Sequence, residues 1–194
     1  MDLPPFEIVY LKSAESPIHA EPKHYLPETR YVGEIGLDAG PRYYRSIDLQ
    51  RKVFERMLRL CERAGDKILS VHCVRAASAV LDLVELYLPR SRGHIVLHWF
   101  TGSRAESRRA IDLGCYFSVN ASMLMNNNQR YLVVALPVDR ILTETDGPFC
   151  KHEGRPVHPR DSEFTTKLLV NARGMGLEET AVTILSNFHN LETS

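Results

Sequence analysis

Short runs rich in β-branched and aromatic residues alternate along this chain with longer stretches of helical period, and that alternation restricts the fold more than any other feature. The run "YVGEIGL" (31–37) is strand-like and is followed by "SIDLQRKVFERMLRLCERAG", where Ile47, Val53, Phe54, Met57, Leu58 and Cys61 recur at helical spacing until Gly65. "KILSVHC" (67–73) then precedes the helical "AASAVLDLVELYL", stopped by Pro89, and "HIVLHWF" (94–100) precedes "RAESRRAIDLG". "YFSVN" (116–120), a helical stretch over 128–136 and "RILTETD" (140–146) continue the series. After the loop "GPFCKHEGRPVHP", helices are expected over about 160–173 and 177–188. Crossovers of these lengths suit parallel pairing, so the expected class is α/β, with its chemistry at the carboxyl ends of the strands. With 194 residues the chain is expected to form one domain: a proline-rich start over 1–27, with one short strand at "FEIVYL", and a regular part over 28–190.

Ionisable residues fall near the ends of those strands: Glu34 on the first, His72 on the second, His98 on the third and Asp146 on the fifth. A carboxylate such as Glu34 in a sheet interior costs several kcal/mol if it lacks a partner, and a metal ion is one partner that repays it. Two imidazoles and a carboxylate would supply three protein ligands of an open metal site, and a nearby second carboxylate could take a proton from water. Each residue also has an ordinary reading. Either histidine could be a satisfied core or surface residue, Glu34 could lie at a frayed strand end, and Asp146 could serve the turn Asp-Gly-Pro. The shared placement at strand ends favours one site.

Composition excludes rather than assigns. Lys plus Arg and Asp plus Glu are equal at 24 each, so no basic surplus marks a general nucleic-acid binder, although a metal could neutralise phosphate locally. The four cysteines are scattered without a C-x-x-C pair, as reduced thiols would be. No run of about 18 apolar residues suggests a membrane span, and the start has no signal-peptide zones, so the cytoplasm is expected.

In their order and spacing, "GEIGLD", "VHCVRAA", "HWFTGS" and "LTETDGPF" resemble the motifs of the TatD family of metal-dependent deoxyribonucleases, which are amidohydrolase-type TIM barrels. "LPETRYVGEIGLDAG", the His-x-x-Arg-Ala-Ala form at 72–77 and "VLHWFTGS" look like the QatD branch, the TatD-like component of Qat anti-phage operons. The resemblance implies Glu34 as a metal ligand, with His72 and His98 completing one metal position. It implies Asp146 as a ligand of the other position and as the base for the attacking water. Glu144 and Arg75 fall at motif positions, implying support of the ligands and a phosphate-orienting contact. The family opens with a strand ending in His-x-His, and no His-x-His occurs here. The expected fold is therefore an incomplete TIM-barrel-like one, lacking roughly the first one to two strand–helix units.

About one divalent cation per chain follows, with Zn²⁺, Mn²⁺ or Fe²⁺ favoured by the nitrogen ligands over Mg²⁺. His19 and His24 are weaker candidate ligands, because nothing secures them at a strand end. Implied partners are DNA as substrate, Qat-system proteins, and a second copy or other protein covering exposed sheet edges. A metal-dependent deoxyribonuclease stands against two alternatives: a truncated or degenerate relative without turnover, and a small-molecule amidohydrolase.

Overall fold

The computed structural model describes residues 26–194. His19, His24 and the strand expected at "FEIVYL" lie outside the described residues. Five strands form one parallel sheet in consecutive order: β1 (Tyr31–Asp38), β2 (Lys67–Val74), β3 (Gly93–His98), β4 (Tyr116–Val119) and β5 (Ile141–Thr143). Helices α1 (Ile47–Ala64), α2 (Ala77–Tyr87) and α3 (Arg104–Asp112) connect the first four strands, and α4 (Ala121–Met125) with α5 (Asn127–Ala135) leads to β5. A two-residue hairpin, β6 (Lys151–His152) and β7 (Arg155–Pro156), precedes α6 (Ser162–Arg173) and α7 (Leu177–Thr193). Consecutive parallel order with helical crossovers is the arrangement of a TIM-barrel arc, and among the described residues it is an open array with β1 and β5 at its edges.

Local rules account for the helices. In α1, Phe54, Met57, Leu58 and Cys61 form the buried stripe, and Gly65 leaves the helix at φ 70°. α3 opens with a capping box: Ser103 Oγ accepts the Glu106 N–H, and Glu106 Oε2 accepts the Ser103 N–H at 2.7 Å. Asn120 and Asn126 cap α4 and α5 through Met123 N–H and Gln129 N–H.

The two sheet faces are covered differently. Leu69, Val71, Ile95, Leu97, Phe117, Val119 and Ile141 point into the main core beneath α1–α6, with Phe54, Leu58, Val80, Leu81 and Leu169. Their strand neighbours Ile68, Val96, Tyr116 and Leu142 face the other way and pack with Leu191 of α7. α7 is fastened there at several points. Asn187 Nδ2 donates to Val138 O and Ile141 O at 2.7 and 2.8 Å, and Tyr31 and Arg30 bond to Glu192.

The structure shortens several expected strands. β3 ends at His98 and β5 at Thr143, so Trp99, Phe100 and the segment Glu144–Asp146 belong to loops. The physical reason at β3 is local: Trp99 adopts φ 42°, which a strand cannot continue through. α4 and the β6–β7 hairpin, each too short to print a period in the sequence, were not expected.

Candidate active site

At the carboxyl ends of the strands, on the face that α7 covers lower down, the register sets Gly36, His72, His98 and Ser118 side by side across β1–β4. β1 meets β2 there through a bulge. Val32 pairs with Leu69 and Ile35 with Val71, so Gly33 and Glu34 together oppose Ser70. That extra residue lets Val32 and Ile35 both enter the core while Glu34 is turned to the site. Gly36 allows the close approach: a Cβ there would lie 2.0 Å from His72 O, at φ 140°.

The side chains converge in a chain of contacts. Glu34 Oε1 lies 2.9 Å from His72 Nδ1 and 3.8 Å from His98 Nε2. The same His98 nitrogen is 3.3 Å from Asp146 Oδ1, while His98 Nδ1 is bound to Glu144 Oε2 at 2.6 Å. Glu144 is held in turn by the Ser118 hydroxyl and by Asn120 Nδ2 at 3.0 Å, and its backbone N–H reaches Val119 O at 2.9 Å. Thr165 of α6 donates to Glu144 O at 3.2 Å. One carboxylate therefore fixes the ring orientation of His98 and leaves Nε2 facing the other two.

The electrostatics follow from that crowding. Burial opposes charge on His98, but bonds to Asp146 and Glu144 and the charge of Glu34 outweigh it and push its pKa up to about 10. Burial would raise the Glu34 carboxyl, yet the bond from His72 and the charges of both imidazoles hold it below its usual value.

Among the described residues, no three or more His, Cys, Asp and Glu side chains stand arranged to hold a metal ion as they are. The chemistry of the donors nonetheless suits a cation. Three carboxylates surround one imidazole, and their demand for positive charge is what raises the pKa of His98. A divalent cation would meet that demand, with the second imidazole of His72 beside it. The donors thus fit a metal in kind.

Of the residues expected at a site, Glu34, His72, His98, Glu144 and Asp146 are together. Arg75 is not among them: it is exposed, at φ 51°, and lines a separate groove beyond the end of β2. Arg75, Trp99 and Asp146 all carry positive φ just past strand ends, a clustering of backbone strain at the site's rim. Asp38 serves the turn after β1, where its Oδ1 accepts the Gly40 N–H at 2.7 Å. Trp99 packs against the core and donates from Nε1 to Gln129 Oε1 at 3.2 Å.

Sequence reading missed Ser118 and Asn120. Their only signal is their two-residue phase with Tyr116 on β4, which puts them on the site's face. Cys150 is half-buried, with its Sγ 3.7 Å from Asp146 Oδ2 at the site's edge.

The sequence matches the family model described as TatD related DNase over residues 13–193. The chain belongs to the TatD-related DNase family. Among curated TatD proteins it is 37% identical over 136 residues to the deoxyribonuclease Tat-D of Schizosaccharomyces pombe, covering 70% of this chain and 43% of that one. To the 3'-5' ssDNA/RNA exonuclease TatD of Klebsiella pneumoniae it is 32% identical over 143 residues, covering 71% and 53%. The chain thus spans about half the length of these TatD relatives. The fold superposes on YjjV, a TatD homologue of Escherichia coli, with a TM-score of 0.77 and 25% identity, over 87% of this chain and 67% of that one. An amidohydrolase from Saccharomyces cerevisiae gives a TM-score of 0.72 at 17% identity, a likeness of fold.

Proposed function

We propose that this TatD-family chain is a metal-dependent phosphodiesterase acting on DNA, built around one divalent cation held by Glu34, His72 and His98, with Asp146 beside it. The observation that carries the reading is His98, whose Nδ1 is fixed by Glu144 at 2.6 Å while Nε2 faces Glu34 and Asp146. A carboxylate-oriented imidazole turned toward further carboxylates is how proteins present ring nitrogen to a metal. When bound, the cation supplies charge against the phosphodiester and makes water a better nucleophile near neutral pH. Zn²⁺, Mn²⁺ and Fe²⁺ match the mixed nitrogen and oxygen donors better than Mg²⁺.

The chain's own groups have distinct tasks. Asp146, at the rim on a strained backbone, accepts the proton of the attacking water at a carboxylate oxygen. Glu144 holds the tautomer and tilt of His98, and Ser118 and Asn120 hold Glu144. The relatives' names, deoxyribonuclease and ssDNA/RNA exonuclease, support nucleic acid as the substrate. The QatD-like stretches "LPETRYVGEIGLDAG" and "VLHWFTGS" extend the proposal to anti-phage defence in the cytoplasm beside Qat-system proteins. The edges at β1 and β5, open among the described residues, extend it to a second copy or partner that covers them. No helix among the described residues is long and apolar enough to cross a membrane.

Metal content by mass spectrometry, paired with degradation of a single-stranded oligonucleotide, tests the proposal. It expects about one ion per chain and metal-dependent degradation, both lost in the Glu34→Gln, His72→Ala double variant. A parent chain that takes up no specific ion would overturn the catalytic reading and leave a relative without turnover.

A further inference from the structure

The strands that carry Glu34, His72 and His98 run on into the segments around an open groove of about 430 Å³, on the helix side of the same strand ends. Ala39, following β1, Arg75, following β2, and Thr101 and Ser103, following β3, line it, with Arg51 from α1 and Glu106 from α3. Its volume is that of a small-ligand pocket, and its polar groups are hydroxyls, two guanidinia and one carboxylate. Arg51 and Arg75 are both exposed, and no bond to a described side chain engages either. Glu106, the groove's carboxylate, is already committed: it accepts from the Ser103 N–H at 2.7 Å and from the Ser103 hydroxyl at 2.8 Å. Some other surface arginines are paired. Arg109 meets Asp82 and Glu85, Arg155 meets Asp161, and Arg59 meets Glu55. Two guanidinia without a described partner therefore line one groove whose carboxylate is already engaged.

Position makes the groove relevant to the site. Arg75 follows His72 by three residues, which separates their Cα atoms by at most about 11 Å. On the nuclease reading, a strand with one phosphodiester at His72 and His98 has this rim within reach. We propose that the groove receives a phosphodiester of the substrate strand neighbouring the one that is cleaved, with Arg75 at its inner lip and Arg51 at its outer wall as the contacts. This rests on the nuclease reading above and adds a substrate length: the protein grips more of the strand than the bond it cuts. Arginine suits the task because its planar fork meets two phosphate oxygens at once, and such contacts position a strand without reading its bases.

Fluorescence anisotropy with a labelled twelve-residue oligothymidylate, its linkages phosphorothioate to resist cleavage, tests the groove on the metal-loaded full chain across a salt series. Arg51→Ala and Arg75→Asn are the variants, asparagine being chosen at 75 because it tolerates positive φ. Arg63→Ala, near the far end of α1, is the charge-matched control. Each groove variant is expected to bind about 3- to 10-fold more weakly, with the slope of log affinity against log salt reduced by about 1, while the control matches the parent. A parent that binds the oligonucleotide with both groove variants indistinguishable from the control overturns the groove and leaves the nuclease reading standing. A parent with no salt-dependent binding at all overturns both.

Discussion

One face of the sheet does two different jobs along its length. Toward the amino ends of the strands it presents Ile68, Val96, Tyr116 and Leu142 to Leu191 of α7. Toward the carboxyl ends it presents His72, His98, Ser118 and, just past β5, Glu144. On β3, on β4 and along the line of β5 the change takes a single two-residue step, from Val96 to His98, Tyr116 to Ser118 and Leu142 to Glu144. The lower half gains stability from burying apolar surface, which asks only for fit. The upper half gathers carboxylates whose mutual repulsion the fold must hold in check, and it stays partly open to solvent. The lower half packs the strands against α7, which lets the upper half be positioned without contributing much to holding them.

Substitutions can separate the halves. His72→Ala should abolish metal uptake and lower turnover roughly 10²- to 10³-fold, while urea denaturation shows little loss of stability, because that ring is partly exposed and meets only Glu34. A large fall in stability would mean that the site also holds the sheet together. Leu191→Ala should do the reverse, costing about 3 kcal/mol in urea unfolding with metal content per folded chain unchanged. If the metal is lost along with stability, the two halves are coupled and the comparison fails. Glu144→Gln should leave the fold intact and weaken metal affinity roughly 10- to 100-fold, because the amide no longer compels His98 to present Nε2.

The smallest effects sharpen the lower half. Burial, then the bond to Glu192 and its charge, raise the Tyr31 hydroxyl to about 12 against an ordinary 10. Because the folded value is the higher one, this contact's stability is complete below pH 10 and is lost as pH climbs toward 12. Tyr31→Phe should flatten that alkaline decline, read by unfolding at a series of pH values. Thiol labelling gives a further contrast. Burial pushes Cys61, Cys73 and Cys115 up to about 12, so reagent should reach half-buried Cys150 first and the others only on unfolding.

Much of this was legible in the sequence, for identifiable reasons. Periods of two and 3.6 print themselves over eight or more residues, which is why β1, β2, α1 and α2 were readable nearly to their ends. Glu34, His72, His98 and Asp146 stood out because ionisable residues are costly at the ends of buried strands. Ser118 and Asn120 did not, since hydroxyls and amides are unremarkable in a short strand and its cap. The bulge at Gly33 and Glu34 left its trace only in the odd spacing of Val32 and Ile35. Arg75 was legible as a motif residue but not as a groove residue, because its direction depends on a positive φ that sequence spacing does not reveal.

The clasp between α7 and β1 also bears on how the chain is made. Tyr31 and Glu192 are separated by 161 residues, and Leu191 covers apolar side chains of strands that leave the ribosome well before it. During synthesis, the face bearing Ile68, Val96, Tyr116 and Leu142 waits for a helix not yet translated, so the nascent chain carries an open apolar strip through most of its elongation. Chaperone engagement should therefore peak after β5 emerges and end with the arrival of α7.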